Sequence, residues 1–437
     1  MNAAKKVIDR LYGSGYEAYL VGGCVRDSLM GLPVSDYDVT TSALPEQTME
    51  VFSDLRTIPT GLKHGTVTVL IDGEPIEITT FRADGDYSDH RHPESVSFSS
   101  RLEDDLCRRD FTVNAMAYSD QRGLIDLYGG KDDLEKGIIR AVGEPERRFT
   151  EDALRILRAL RFASQKCFSI EPETEKAIRK CLPLLSFVSA ERIFAELKKL
   201  LMGKGALDVL LKYPDVITAI VPALKPSVGF EQKNPHHIYD VYGHTARAVA
   251  FSPYDETVRI AALLHDAGKP ETFSVKNGVG HFYGHTDASL ALAERTLIEL
   301  KCDNATKNEV LTLIKYHDPV IEPAEKAVKR ALGRLGKPTL LKLLDLKSAD
   351  NLAQSPECAE RLKQYDEIRK LITEIEERKD CFTLKDLAIN GDTLISLGVP
   401  KGKEIGRLLG ELLSLVMDGT LKNEKEALTE MALKLKG

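Results

Sequence analysis

The spacing of hydrophobic positions changes near residue 140. Before it, short apolar runs bounded by turns predict β-strands in "AYLVGG", in "TVTVLIDGEPIEITTF" with its Asp-Gly turn, and in "GLIDLYGG". From about residue 150, apolar residues recur with helical spacing in "TEDALRILRALRFASQ", "EKAIRKCLPLL" and "AERIFAELKKLLM", and we expect Thr150 to cap the first helix. The pattern therefore predicts an α+β protein, with a small mixed β-sheet head followed by an extended all-α region.

A chain of 437 residues is too long for one compact core, so several domains are expected. A charged stretch, "ITEIEERKDCFTLKD", separates the last helical segment from the rest. We predict a head over residues 1–140, a neck over 141–205, a helical body over 206–360 and a helical tail over 361–437.

Composition narrows the class of protein. With 43% hydrophobic and 29% charged residues, the chain is typical of soluble globular proteins, and no apolar run approaches the roughly 20 residues of a membrane helix. We see no signal peptide, and seven cysteines without a Cys-x-x-Cys pair indicate reduced thiols, so we expect a cytoplasmic protein without a membrane partner. A net charge of −7 argues against indiscriminate coating of nucleic acid.

The stretch "LVGGCVRDSLMGLPVSDYDVTTS" places two acids beyond a double glycine. A strand that ends in Gly22 and Gly23 lets backbone N–H groups approach a phosphate. Asp36 and Asp38 point to one face of a strand, where they repel each other unless a cation such as Mg²⁺ lies between them. Two such ions suit in-line displacement at phosphorus, with Glu77 as a candidate third carboxylate. The alternative is a solvated turn with incidental acids.

A second motif, "EDDLCRRDFTVNAMAY", offers cations for a nucleotide. Arg108 and Arg109 are candidates for contacts with triphosphate or ribose oxygens, and Asn114 for fixing a loop. A surface charge cluster is the alternative interpretation.

These motifs and "DLYGGKDDLEKGIIRAVGEPERRFTEDALRILRALRFA", in this order and spacing, resemble the class II tRNA nucleotidyltransferases, the CCA-adding enzymes, over residues 18 to about 205. The resemblance implies a nucleotidyltransferase-type head, a neck, a body and a tRNA-binding tail. It implies a nucleotide and catalytic Mg²⁺ ions held by these residues: Gly23, Arg26 and Arg109 for the nucleotide, and Asp36 and Asp38 for the metals.

The same resemblance implies that the motif Glu151–Arg155 reads the base. On a helix, Asp152 and Arg155 are neighbours at i, i+3, and Arg158 and Arg161 extend the row. A carboxylate that accepts from an exocyclic amine and a guanidinium that donates to ring acceptors suit C and A, and leave G or U with mismatched groups. The alternative is an exposed ion pair of little energetic weight.

Residues 81–100, "FRADGDYSDHRHPESVSFSS", are polar and resemble the flexible element with which full CCA-adding enzymes switch from C to A. This resemblance argues against an enzyme that adds only CC. An ordinary mobile loop is the alternative.

A second constellation follows the order His…His-Asp…Asp, which resembles the HD phosphohydrolase superfamily. The candidate ligands are His244, His265, Asp266, His285, His317 and Asp350. Imidazole and carboxylate ligands suit Mn, Fe, Co or Ni as well as Mg. Such a site would activate water for attack on a phosphoester, and the resemblance implies 2′,3′-cyclic phosphates or 2′-phosphates as substrates. A structural hydrogen bond is the alternative for a single buried His-Asp pair.

In the tail, "GVPKGKEIG" offers glycines and lysines before a helix, which suits RNA phosphates, although a helix hairpin that packs on the body is equally compatible.

Together the motifs predict a template-independent enzyme that adds CCA to tRNA from CTP and ATP, with HD-site phosphohydrolase activity. Three alternatives remain: a bacterial poly(A) polymerase, an HD hydrolase whose head only holds RNA, and a catalytically silent tRNA-binding protein. The sequence leaves the oligomeric state open.

Overall fold

The computed structural model describes residues 2–34, 36–62, 65–84, 96–235, 237–355 and 360–436. Two compact units divide them. The first runs to Lys225 and includes Ile298–Cys302, and the second comprises Pro226–Leu297 and the chain from Asp303 onward. Most of the predicted flexible element, residues 85–95, lies outside the described residues. The division into four domains stays a prediction.

The head is built on a seven-stranded sheet with the order β3-β4-β5-β2-β1-β8-β9. Its strands, with the separate pair β6 and β7, are β1 Ala18–Val21, β2 Asp38–Thr41, β3 Arg56–Gly61, β4 Thr66–Ile71, β5 Glu74–Thr80, β6 Arg82–Asp84, β7 Val96–Phe98, β8 Met116–Ser119 and β9 Gly123–Asp126. Its helices are α1 Asn2–Gly13, α2 Gly23–Leu29, α3 Pro45–Val51, α4 Leu102–Cys107 and α5 Gly130–Lys136.

The pairing of β2 with β5 positions the acidic residues. These two strands are parallel, with Asp38 opposite Glu77, whereas the other neighbours in the sheet are antiparallel. Because side chains alternate along a strand, Asp38 is exposed while Val39 is buried in the core with Ile78. The predicted mixed sheet is confirmed.

Residues 138–220, which include the predicted neck, contain one short parallel strand pair and six α-helices. These are β10 Ile138–Ile139, α6 Pro145–Glu151, α7 Leu154–Lys166, β11 Ser169–Ile170, α8 Pro172–Cys181, α9 Ala190–Leu201, α10 Ala206–Lys212 and α11 Pro214–Ile220. The prediction that Thr150 caps α7 is wrong: it lies inside α6, and its hydroxyl donates to the Glu146 carbonyl oxygen at 2.8 Å. Asp152 instead breaks the helix, with extended backbone, and its carboxylate accepts from the Leu154 N–H at 3.1 Å.

The second unit is mainly helical. Its elements are α12 Val241–Phe251, α13 Glu256–Leu264, α14 Lys269–Thr272, β12 Ser274–Lys276, β13 Val279–His281, α15 His285–Glu299, α16 Asn304–Tyr316, α17 Glu325–Leu335, α18 Lys337–Leu352, α19 Glu360–Glu377, α20 Gly391–Ser396, α21 Lys403–Met417 and α22 Lys425–Leu435. The expectation of an all-α body is wrong at the hairpin β12–β13. Asn277 and Gly278 form its turn with φ of 53° and 79°, and an Asn-Gly pair is the sequence signal that the helical interpretation overlooked.

Within the described ranges, the search for membrane-spanning helices found none of sufficient length and apolar character.

Candidate functional site: a head groove and a body cluster

The turn between β1 and α2 lies against an arginine. Gly22 has φ of +73°, which favours glycine, and a Cβ there would lie 3.1 Å from Nη1 of Arg109. Arg109 is held from behind, because its Nη2 donates to the buried Asp105 carboxylate at 3.0 Å. The structure therefore brings the predicted nucleotide residues Gly23 and Arg109 to one place.

Asp36, Asp38 and Glu77 line one groove of about 800 Å³, which we call the head groove. Asp36 and Asp38 are both solvent-exposed. Partial loss of hydration inside the groove raises the pKa of Asp38, and the charges of Glu77 and Asp36 add to this while Arg109 opposes it. Clustered carboxylate oxygens that disfavour one another's charge fit a hard divalent cation such as Mg²⁺.

Arg26 is buried rather than open to solvent. Its guanidinium donates to Asp27 at 2.9 and 2.8 Å and to the Asn114 side-chain oxygen at 2.6 Å, and it lies 5.2 Å from the centre of the Phe162 ring. Asp27 also pairs with Lys166 at the end of α7. These contacts tie α2 to α7, and the predicted nucleotide contact of Arg26 stays a prediction.

A buried carboxylate continues this network toward α7, the helix that is predicted to read the base. Asn114 donates to Asp110 at 3.1 Å, and Arg158 donates to the same carboxylate through Nε at 2.8 Å. Burial alone would raise the pKa of Asp110, but Arg158 and Asn114 lower it to about 2. Asp110 therefore stays ionised and fixes Arg158.

The predicted pairing of Asp152 with Arg155 is wrong in detail. Asp152 pairs with Arg192 of α9 at 2.8 Å, whereas Arg155 pairs with Glu151 at 2.8 Å. The break between α6 and α7 separates the two side chains, because Asp152 is not on the helix that carries Arg155.

Arg155 and Arg161 also have partners, in the head and in the predicted neck respectively. Arg155 donates to the Arg108 carbonyl at 2.7 Å. Arg161 pairs with Glu196 and lies 3.9 Å from the centre of the Phe162 ring. Each predicted base-reading side chain is thus oriented by a neighbour.

The predicted ligands of the second unit gather around one carboxylate, and we call them the body cluster: His244, His265, Asp266, His285, His317 and Asp350. Oδ2 of Asp266 lies 3.3 and 3.2 Å from Nε2 of His244 and His265. Its Oδ1 lies 3.8 Å from Nε2 of both His285 and His317. Asp266 therefore faces two ligand groups at once.

All four imidazoles of the body cluster are oriented in the same way. Nδ1 of each lies 2.7–3.2 Å from a backbone carbonyl oxygen. Because a carbonyl only accepts, Nδ1 carries the proton and Nε2 is directed at the carboxylates. Nε2 of His244, Nε2 of His265 and Oδ2 of Asp266 are buried without a well-aligned hydrogen bond. These are the features of a prepared metal site, and the donor set suits Mn, Fe, Co or Ni.

Charge within the body cluster is balanced locally. Burial by itself would raise the pKa of Asp266, but His265 and Lys269 hold it well below its usual value. Lys269 approaches Oδ2 of Asp266 at 2.7 Å and also donates to Gln232. Burial lowers the pKa of His317 to about 4, so this imidazole is neutral at pH 7.

Two residues next to the predicted sites had not been assigned. Arg192 has no local signal, because its role depends on the packing of α7 on α9. His237, whose pKa burial lowers to about 3, packs edge-on against His244. Only its position among clustered histidines marked it.

Three family models match the chain in order: a poly A polymerase head domain over residues 18–140, a probable RNA and SrmB-binding site of polymerase A over 167–213, and a putative tRNA nucleotidyltransferase domain 2 over 281–432. A CCA-adding enzyme of Lactobacillus johnsonii is 35% identical over 429 residues, covering 98% of this chain and 96% of the relative. The chain belongs to the family of CCA-adding enzymes.

Other relatives differ in how much of the chain they match. A CCA-adding enzyme of Geobacillus thermodenitrificans is 52% identical over 204 residues, covering 47% of this chain and 50% of the relative. The crystal structure of the Bacillus stearothermophilus CCA-adding enzyme in complex with CTP superposes with a TM-score of 0.75 at 31% identity, covering 99% of this chain and 97% of that one. A Thermotoga maritima CCA-adding enzyme complexed with tRNA shares the fold at 22% identity, covering 100% and 95%, with a TM-score of 0.61.

Proposed function

We propose that this chain, as a CCA-adding enzyme, adds C, C and A in turn to the 3′ end of tRNA from CTP and ATP. The observation that carries the proposal is the head groove, where Asp36 and Asp38 are exposed. Arg109 lies outside the groove lining, at the glycine turn, but close enough for its charge to oppose the rise in the pKa of Asp38. The tRNA 3′-hydroxyl attacks the α-phosphate, a P–O bond forms to that oxygen, and pyrophosphate leaves with the electrons of the broken bond.

We assign the chemistry to the residues of the groove. A divalent ion such as Mg²⁺ held by Asp36 and Asp38 supplies Lewis-acid stabilisation of the negative charge on the reacting phosphates. Glu77 is the third carboxylate of this set, because it lies opposite Asp38 across β2 and β5. Arg109 and the backbone at Gly23 orient the triphosphate.

We assign base selection to Asp152 and Arg155. Arg192 holds Asp152 and Glu151 holds Arg155, so neither side chain can turn to suit a different base. A wrong base would therefore leave a buried donor or acceptor unpaired. Arg158 and Arg161 complete the surface of the pocket against which the base lies. The helical region and the tail bind tRNA through its shape and its phosphates. We place this activity in the cytoplasm, which agrees with six free cysteines among the described residues.

The proposal is tested with tRNA that lacks its last three nucleotides. We expect two additions with CTP alone and a third when ATP is also present. Long A tails would instead indicate a poly(A) polymerase, and no extension with CTP and ATP together would refute nucleotidyl transfer.

A second function is favoured by the body cluster. We propose that it hydrolyses phosphoesters at RNA ends, such as 2′,3′-cyclic phosphates. The metal ions that Asp266 and its two ligand groups would hold supply an activated water and Lewis acidity. The chain's own part is to orient the four imidazoles and to place Lys269 beside the carboxylate. Hydrolysis that is lost on His265→Ala or Asp266→Asn while CCA addition persists would assign it; no hydrolysis by the unmutated protein with Mn, Fe, Co, Ni or Mg would refute it.

A further inference from the structure

An exposed pair of stacked rings lies beside the body cluster. Tyr283 is 73% exposed, and its ring lies almost parallel to that of His281, with centroids 5.3 Å and planes 7° apart. The two residues bracket the end of β13, two positions before His285 begins α15. A large aromatic side chain kept in solvent with its face supported from behind presents a flat stacking surface.

These rings line the same cavity as the body cluster. The cavity has a volume of about 360 Å³, and Asp266 and Asp350 lie in its wall together with two cations, Lys269 and Arg361. This volume is at the lower end of the range for small-molecule sites, which is about 300–1,000 Å³. One cavity thus combines candidate metal ligands, two cationic side chains and an aromatic face, features that suit a nucleoside phosphate.

The backbone beneath the rings is fixed in place. The Gly280 N–H donates to the Lys233 carbonyl at 2.8 Å, and a Cβ on Gly280 would lie 2.1 Å from the Gln232 carbonyl oxygen, so the hairpin lies directly on this segment. The next side chain, Phe282, packs on Phe273 with ring centroids 5.4 Å apart. The hairpin segment that carries the platform is therefore anchored through Gly280 and Phe282.

We propose that Tyr283, supported by His281, is a stacking platform for the nucleobase of a nucleoside 3′-phosphate or 2′,3′-cyclic phosphate whose phosphate lies at the body cluster. The inference rests on the proposed hydrolase function and specifies its substrate. Stacking on an aromatic face accepts any base, so the site selects a nucleotide without reading its sequence. A free nucleotide and the 3′ end of an RNA share this chemistry.

Binding of guanosine 3′-monophosphate to the Mn²⁺-loaded protein, measured by calorimetry, tests the platform. Guanine is a strong stacking base, and the proposed head specificity rejects it, so the head does not contribute to the measured binding. We expect Tyr283→Ala to raise Kd about 5- to 100-fold, since base–aromatic stacking has that range of effect. We expect Tyr283→Phe to bind like the unmutated protein. Ribose 5-phosphate, which lacks a base, should bind equally to all variants.

Tyr254→Ala is the matched control, because Tyr254 is also exposed in this unit, at 59%, but packs over Arg259 away from the cavity. Equal affinity of Tyr283→Ala and the unmutated protein, or no binding by either, would overturn the platform. Tyrosine-dependent binding without any hydrolysis of guanosine 2′,3′-cyclic phosphate would keep the platform and refute the hydrolase. Repeating the titration with a short RNA that ends in a 3′-phosphate separates the ligands: a Tyr283 effect there indicates RNA ends, and its absence indicates free nucleotides.

Discussion

The head groove and the body cluster both gather acidic side chains beside a cavity, but the two sites hold them differently. In the head groove, Asp38 begins β2 and Asp36 lies just before that strand, and both are exposed. In the body cluster, Asp266 is 1% exposed and all four imidazoles are anchored through Nδ1. Within the described ranges, the groups in which three or more ligand atoms come within 4.8 Å of one another both belong to the body cluster.

The two sites differ in when the charge of their carboxylates is compensated, on ligand binding or during folding. Exposed acids keep part of their hydration, so their repulsion weakens folding little, and under the proposed function a metal ion with its nucleotide would complete the site on binding. A buried cluster must be compensated during folding, which is why Lys269 and the histidines neutralise Asp266. A site that is completed only on binding, an assembled site, suits a reaction whose nucleotide changes from step to step. A site that is already formed on folding, a prepared site, suits a single type of substrate.

The largest expected effect is a loss of nucleotide addition when the head groove is changed. Asp38→Asn should reduce CTP and ATP addition by about a thousandfold or more, because a metal ligand is lost at the reacting phosphates. The melting temperature should stay nearly unchanged, since the side chain is exposed. Primer-extension rates and thermal unfolding measure both, with Glu50→Gln, on α3, as a control for an exposed acid in the same head. Normal extension by Asp38→Asn would remove it from the site.

Asp266→Asn should give the opposite profile. Leaving Lys269 and the buried imidazoles without their carboxylate should lower the free energy of unfolding by about 3 kcal/mol and abolish Mn²⁺ binding. CCA addition should persist at temperatures where the variant is folded. Metal content by mass spectrometry and unfolding in urea provide the measurement. A variant as stable as the unmutated protein that retains metal would mean that the cluster is not prepared during folding.

The sequence predicts the residues of both sites better than it predicts the contacts that position the neck residues. The prediction that strand alternation places Asp36 and Asp38 on one face is wrong in detail, because β2 begins at Asp38 and Asp36 lies in the segment before it; both nevertheless line one groove. The order of histidines and aspartates indicated the body cluster. The partner of Asp152 was not predictable, since it depends on a helix break at Asp152 and on Arg192 of α9, 40 residues away. Packing between distant segments leaves no local period to detect.

A smaller effect tests this long-range positioning in the neck. Arg192→Ala should raise KM for CTP and ATP about tenfold, which corresponds to about 1.4 kcal/mol, with less change in kcat. Because Asp152 loses its only ion-pair partner among the described side chains, incorporation of U and G should also increase. Arg179→Ala, which removes a comparable ion pair with Glu175 on α8, is the control. Unchanged KM and fidelity would show that Asp152 is positioned without Arg192.

The smallest effect is a proton count on metal binding. Burial alone lowers the pKa of His265, but the charges of Asp266 and Asp350 raise it to about 10, so the metal-free protein carries a proton there at pH 7.5. A folded pKa above the unfolded value of 6.5 means that this group stabilises the metal-free protein fully below pH 6.5 and loses that effect as pH rises through about 10.

Mn²⁺ must displace the proton, so its affinity should rise with pH over the same range. Calorimetry in two buffers of different ionisation enthalpy should show proton release on Mn²⁺ binding that includes the proton of His265. Mg²⁺ and CTP binding at the head groove, which offers no imidazole, should show far less buffer dependence. Equal proton release at both sites would contradict the distinction between a prepared cluster and an assembled one.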